Sequence, residues 1–342
     1  AEWGLPPKGD VVEFLSIYAD DKPDSKRNAV TCALEITTPA GASAGVNKII
    51  EETIAGKRFA APWPYPKLAD FTKALVPGTV TALCGDPGDG KSFMVVQAAA
   101  YWFSKGIKVA VKMLEEDQAY HLHRALAQMC GDSRIIDDEW IKKNPEESRS
   151  FFRQHESFLN EFGRCIHAAP DEIQTLDQLA DWTNQVASAG ARVIVIDPIT
   201  MAQASAKPWV DDLRFLATVK ATLRKYEASL LLVTHPRKGN RSGAPSLHDL
   251  AGGAAYQRFT QTVLWVRKFD QKKLAKCYGS HGQFETKLNR SIKLGKTRNG
   301  RGGGLEIGFD FSGKTLRFAE QGVVTKWIKS NKESTDDEED NL

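Results

Sequence analysis

Eight consecutive residues, Gly85-Asp86-Pro87-Gly88-Asp89-Gly90-Lys91-Ser92, carry the spacing G-x-x-x-x-G-K-[ST]. Glycines so placed let backbone N–H groups turn inward around phosphate oxygens. Lys91 would then reach the β- and γ-phosphates of a nucleoside triphosphate, and Ser92 would hold Mg2+. The expected contacts with ATP, or another NTP, therefore run from Gly85 through Phe93. The apolar run Arg192 to Asp197 ends in a carboxylate, which at a strand end beside such a loop supports the metal and its waters. Lys112 to Asp117 ends in three acids. Hydrolysis needs a group to orient the attacking water, and a helix start favours acids, so both roles are expected among Glu115, Glu116 and Asp117. His235, after the apolar run Leu231 to Thr234, would face the γ-phosphate and report its presence. Late in the chain, Gly295 to Arg301 is a basic turn. Aimed at a neighbouring subunit's γ-phosphate, one charge of this turn would act as an arginine finger, which requires an oligomer. Between His235 and Thr262 lie Arg237, Lys238, Arg241, a Gly252-Gly253 pair at a helix start, and Gln257. Cations and free backbone amides of this kind suit a nucleic-acid backbone gripped without sequence preference.

These residues need strand ends to hold them in one place, and the pattern supplies them. Apolar runs at Val80–Cys84, Lys108–Leu114, Cys165–Ala168, Val193–Asp197 and Leu230–Thr234 are solid enough to be buried on both faces of a mostly parallel sheet, with helical stretches between them. Thr262–Val266, Ser291–Lys296 and Leu305–Phe311 are joined by shorter connections and read as an antiparallel extension. The fold class is α/β over residues 67–326. Ahead of it, residues 1–36 form a separate piece with a helix at Val11–Ala19. Residues 37–66 are a linker: a flexible leash from Thr37 to Gly45, a short helix over 46–56 with Val46, Ile49, Ile50 and Ile54 on one face, and a stiff proline-rich strap from Pro62 to Pro66. That helix has either its own domain or a neighbouring subunit to pack on.

The chain's 342 residues hold 42% apolar and 26% charged residues, an ordinary globular composition. No apolar run approaches a membrane span. No secretory leader opens the sequence, and a first residue other than Met reads as the start of a fragment. Five scattered cysteines fit neither a zinc site nor a disulfide framework, which points to a reducing, cytosol-like compartment. The net charge of +3 conceals an acidic block, Asp336 to Asp340, in a segment of disordered composition over 327–342. The folded part is correspondingly more cationic, which permits a polyanionic partner.

The order of GDPGDGKS, Leu-Glu-Glu-Asp, VIVIDP, LLLVTHPRK, DLAGGAAYQ and KTRNG across roughly residues 68–318 resembles the RecA-like core of replicative hexameric helicases, the DnaB group. The His-Pro-Arg-Lys segment brings it near the Twinkle and phage primase-helicase branch. The resemblance implies a RecA-like P-loop fold and a ring, a hexamer, that moves 5′→3′ on single-stranded DNA by hydrolysing NTP between subunits. It implies Glu116 as the catalytic glutamate with Glu115 as runner-up, Asp197 as the Mg2+-linked aspartate, His235 as the phosphate sensor, and Arg298 with Lys296 as the finger in trans. It offers Phe309 or Phe311 as a flank for the base, the helix Val46–Ile54 as a subunit bridge, and a cytoplasmic site of action, in the host cell if the chain is phage-encoded. Where many relatives carry an arginine this chain has Ala251. Residues 4–15 faintly resemble the end of a Toprim primase domain, and the acidic tail resembles segments that dock a polymerase or another replication protein. Rival readings are a RepA-type helicase, a recombinase, which would form filaments, and a nucleotide-gated DNA loader, which needs less catalytic equipment.

Overall fold

The computed structural model describes residues 39–169, 171–203, 205–237, 249–250 and 254–328. The expected helix at Val11–Ala19 and the acidic block lie outside them. The chain divides into two units, one ending at Phe59 and one beginning at Ala60.

In the first unit, helix α1 spans Pro39–Ile54. It begins well before the expected helix and takes in most of the expected leash. Pro39 is harmless at a helix start, and the alanines that follow have high helix propensity, so small residues read as a linker extend the helix. Val46, Ile49, Ile50 and Ile54 stand exposed on it, Val46 at 59%.

In the second unit the proline-rich strap is pinned by aromatic packing. Trp63 and Tyr65 are buried, the Trp63 ring lies 5.5 Å from Trp102, and Trp102 Nε1–H donates to the Pro62 carbonyl at 2.6 Å. Helix α2, Pro66–Thr72, follows. It has no side-chain cap of its own. The Glu320 carboxylate, remote in sequence, accepts from the Lys67 and Leu68 N–H groups at 2.8 and 2.9 Å.

Strands β1 (Val80–Cys84), β2 (Val109–Met113), β3 (Ile166–Ala168), β4 (Val193–Asp197) and β5 (Ser229–Thr234) form the parallel part of a nine-stranded sheet. Strands β6 (Thr262–Gly279), β7 (Gly282–Thr297), β8 (Glu306–Ser312) and β9 (Arg317–Trp327) extend it. The order is β3-β2-β4-β5-β1-β6-β7-β8-β9. The junction falls at β6, which runs parallel to β1 and antiparallel to β7. The distal end of β6 also pairs with β9, so the last four strands close a ring of pairings.

Helix α3 (Lys91–Ser104) follows β1. Helices α4 (Gln118–Cys130), α5 (Asp138–Lys143) and α6 (Pro145–Gly163) fill the connection from β2 to β3. Helices α7 (Leu176–Ser188) and α8 (Pro208–Lys225) flank β4, and α9 (Ala254–Phe259) precedes β6. Two apolar cores result. One holds Trp102, Phe162 and Phe309 with α3, α4 and α6; the other holds Leu179, Phe215 and Leu232 with α7 and α8. β1, β4 and β5 are buried along their whole length, as their apolar runs predict. β6 and β7 run far beyond their expected apolar segments, and β9 has no counterpart among the predicted strands. These strands mix buried residues with exposed charged or polar ones rather than forming solid apolar runs, because one face meets water.

Candidate active site

The parallel strands bring their carboxyl ends to one edge, and β1 delivers the glycine loop there. Gly90 is the N-cap of α3 at φ 94°, offers no side-chain cap, and has the Phe318 ring 3.0 Å from where a Cβ would sit. The first turn of α3 therefore keeps its N–H groups for another acceptor, the arrangement that binds a phosphate. Asp89 braces the loop from inside. It is buried, its Oδ2 accepts from Asp86 N–H at 2.8 Å, and its carbonyl accepts from Arg290 Nε at 3.0 Å. Asp86, Pro87 and Gly88 form the exposed crest.

Lys91 lies almost wholly buried. Its ammonium donates to the Gly85 and Asp86 carbonyls at 2.9 and 3.0 Å and stands 3.4 Å from His235 Nδ1. Burial lowers its pKa, against the pull of Asp197, Asp89 and Glu115. Burial also lowers the pKa of His235, with the Lys91 charge beside it acting the same way, so the imidazole is neutral at neutral pH.

Asp197 ends β4, only 3% exposed, and shares a hydrogen bond with the Ser92 side chain. Its Oδ2 has no partner, and burial pushes the carboxyl up to about 6 in spite of Ser92 and Lys91. A buried carboxylate with one free oxygen beside a serine hydroxyl fits a hard dication. Among the described residues no group of three or more His, Cys, Asp or Glu could hold a metal. Mg2+, which draws most of its ligands from water and phosphate, is such a dication.

The three acids after β2 divide cleanly. Glu115 lines a cavity of about 330 Å³ together with Gly88, Lys91, Ser92, Asp197 and His235. Asp117 is the N-cap of α4, accepting from Tyr120 N–H at 2.7 Å. Glu116 is exposed and acts on Arg124. The cavity thus takes the runner-up Glu115, whereas Glu116 is not among its lining residues. The reason is local: Leu114 N–H bonds the Asp197 carbonyl at 3.0 Å, which keeps the next residue alongside β4 before the chain departs for α4.

Lys296 and Arg298 lie elsewhere. Thr262 pairs with Thr81 on one side and Thr297 on the other, and Arg298 N–H bonds the Gln261 carbonyl at 2.9 Å. This is the amino edge of β1, roughly 15 Å from its carboxyl edge at about 3.3 Å per residue. Arg298 is exposed there. The Lys296 ammonium donates to the Gln257 carbonyl on α9, and Lys220 Nζ donates to the Phe259 carbonyl at 3.2 Å. Burial, then the charges of Arg298 and Lys220, bring Lys296 down to about 8.

Of the residues expected on nucleic acid, Lys238, Arg241, Gly252 and Gly253 lie outside the described residues. Arg237 is exposed, and its N–H donates to the Asp249 carbonyl at 2.8 Å. Of the two phenylalanines offered as base flanks, Phe309 is core, edge-on to Tyr65 at 5.1 Å, while Phe311 packs 5.4 Å from Phe93. The sequence reading missed Arg124, which lines the cavity from α4. Its spacing of four from Tyr120 marks a shared helix face, but nothing in the sequence turns that face toward the loop.

A glycine loop between β1 and a helix, a carboxylate at the end of β4 and a mostly parallel sheet define a RecA-like P-loop nucleotide-binding domain. The chain belongs to the AAA domain family, whose model matches residues 57–241, more than half of its length. Among solved structures it is similar to an ATPase domain, at 14% identity and TM-score 0.63, covering 81% of this chain and 97% of that one. It is also similar to a DnaB-like replicative helicase solved for its interactions with primase, at 14% identity and TM-score 0.61, covering 90% of this chain and 73% of that one. At such identity the likeness concerns the fold. No curated protein matches the chain. No helix among the described residues is long and apolar enough to cross a membrane.

Proposed function

We propose that this chain is the ATP- and Mg2+-dependent motor of a ring-forming replicative DNA helicase. One observation carries the reading: Lys91, Ser92, Glu115, Asp197 and His235 share one cavity, while Lys296 and Arg298 stand at the opposite edge of the same sheet. The geometry equips one subunit to bind a triphosphate and leaves Arg298 free to serve the site of a neighbour, as in an assembly that hydrolyses ATP at its interfaces. In this reading Lys91 and the loop hold the phosphates, and Ser92 and Asp197 hold the metal. Glu115 orients the attacking water, with Glu116 outside the site. His235 senses the γ-phosphate and Arg298 neutralises charge in trans.

The sequence between Arg237 and α9 is the segment we assign to single-stranded DNA. Its basic residues and glycine pair suit phosphate contacts, and Lys296 ties the finger strand to α9. The two similar structures are an ATPase domain and a DnaB-like replicative helicase, which supports a role in replication; the hexameric ring, 5′→3′ movement and a cytoplasmic site of action are part of the same proposal and rest on the motif resemblance alone. The exposed face of α1 is assigned to an adjacent subunit, and the acidic tail to a replication partner.

The test is ATPase activity with and without single-stranded DNA, alongside particle mass with a non-hydrolysable ATP analogue. A motor shows closed rings and strong stimulation by DNA. Filaments would support a recombinase, and slow turnover indifferent to DNA a loader.

A further inference from the structure

Three lysines share one face of the antiparallel extension. β6 and β9 pair with Lys276 directly opposite Lys326. β6 and β7 pair with Lys287 opposite Leu274, which lies two residues before Lys276 and on the same face. Like charges directly opposite each other on a sheet repel, and Lys287, diagonal to Lys276, adds to that repulsion. Lys287 and Lys326 are exposed, and Lys276 is partly so. Other cations of the extension are neutralised: Arg267 pairs with Glu306 at 3.2 Å and Lys272 with Asp310 at 2.8 Å. Among the described residues no ion pair engages Lys276, Lys287 or Lys326, and Glu285, opposite Lys276 on β7, pairs with none of them. None of the three lines the phosphate cavity. A concentrated positive face of this kind suits an anion.

The sequence names the anion. β9 ends at Trp327, and the next N–H, that of Ile328, bonds the Leu274 carbonyl at 2.9 Å, so the chain leaves the sheet beside the three lysines. Beyond that point the sequence turns acidic, with Glu333 and then Asp336, Asp337, Glu338, Glu339 and Asp340. The eight residues from Ile328 to Asp336 span at most about 27 Å when extended, enough for a return to Lys326, Lys276 and Lys287. A tethered anion acts at an effective concentration on the order of millimolar, which an untethered polyanion must overcome. We propose that the acidic segment 336–340 docks in its own chain on the face formed by Lys276, Lys287 and Lys326 and keeps other polyanions off it. The contact is electrostatic, so it weakens with salt. A partner that takes the acidic segment uncovers the lysines. The inference is independent of nucleotide hydrolysis.

The test is carbodiimide crosslinking of the full chain, which joins carboxylates to amines in contact, mapped by mass spectrometry. Isotope-labelled and unlabelled chains are mixed as dissociated subunits, so that links within a chain and between chains are told apart. The expected result is links from the acids of 336–340 to Lys276, Lys287 and Lys326 within one chain, reduced at least about fivefold on going from low salt to roughly 0.5 M. Links spread evenly over surface lysines would overturn the proposal. So would links that join only different chains, since they give the face to a second copy. A charge cycle supplies a second readout, binding of oligothymidylate at low salt without nucleotide. Its members are wild type, the chain neutralised by Asp336→Asn, Asp337→Asn, Glu338→Gln, Glu339→Gln and Asp340→Asn, the chain with Lys276→Gln and Lys326→Gln, and the two sets combined. Neutralising the acids should tighten binding at least about fivefold, and the lysine changes should remove that gain. A gain that survives without the lysines would reduce the acids to net charge and overturn the docking. Weaker binding in the lysine variant, with no effect of the acids, would assign the face to nucleic acid and overturn it as well. If the lysine variant does not fold, the wild-type crosslinks decide.

Discussion

Asp197 is the residue on which stability and chemistry oppose each other. Its carboxyl rises from 3.8 to about 6 on folding, so the native state binds that proton more tightly than the unfolded chain. The charge costs nothing below both values, and stability falls as pH climbs through the window from about 4 to 6. By pH 7 the cost is about 3 kcal/mol. Mg2+ requires the ionised form, so metal-dependent nucleotide binding should weaken as pH drops below about 6. Asp197→Asn is expected to raise the melting temperature of the nucleotide-free chain at pH 7. It should also cost at least about tenfold in Mg2+–nucleotide affinity and flatten its dependence between about pH 5 and 7. Thermal melts and titration calorimetry across that range check both signs. The acids after β2 give a second contrast. Glu115→Gln should lower ATP turnover by about a hundredfold or more with nucleotide affinity nearly intact, whereas Glu116→Gln should stay within about threefold of wild type. Comparable losses in both would remove the assignment of Glu115.

At the scale of elements, the glycine loop depends on parts far from it in sequence. The Phe318 ring from β9 closes over Gly90, and Arg290 from β7 holds the Asp89 carbonyl, so the antiparallel extension is the floor of the phosphate site. Gly90→Ala would add a Cβ at a positive φ, 3.0 Å from that ring. We expect a destabilisation of about 1–3 kcal/mol and a large loss of nucleotide affinity, seen in denaturant melts and binding. Glu320→Gln makes a useful control. It weakens the charged cap on α2 and should cost about 1 kcal/mol of stability, with nucleotide affinity unchanged because α2 does not line the cavity. A matching loss of nucleotide binding in Glu320→Gln would mean that the strap and the loop are coupled.

At the scale of the molecule, the separation of Arg298 from its own loop makes a strong demand on assembly. If Arg298 works in trans, subunits carrying Lys91→Ala and subunits carrying Arg298→Ala should each be inactive alone. Mixed, they should regain part of the DNA-stimulated activity, because an intact loop then meets an intact finger at some interfaces. Steady-state ATPase over a mixing series reads this directly. Activity that never exceeds the sum of the parts would remove the trans assignment.

The sequence by itself determined the loop, the five parallel strands and the carboxylate ending β4. These rest on local rules: glycines where backbone must approach phosphate, solid apolar runs where both faces are buried, an acid where a strand ends beside the glycine loop. It also marked Lys296 and Arg298 as a basic turn. It did not determine which acid after β2 faces the cavity, since Glu115 and Glu116 are one residue apart and the choice is made by a hydrogen bond from Leu114 to β4. Nor did it reveal β9 or the full reach of β6 and β7, whose polar faces hide their period until they pair. The place of Arg124 was equally illegible, because a helix face acquires meaning only when packing turns it toward something. What only the tertiary structure decided is the company each residue keeps: Lys91 with His235, Asp197 with Ser92, Arg124 with the Tyr120 and Phe93 rings, and Arg298 at the far edge of the sheet.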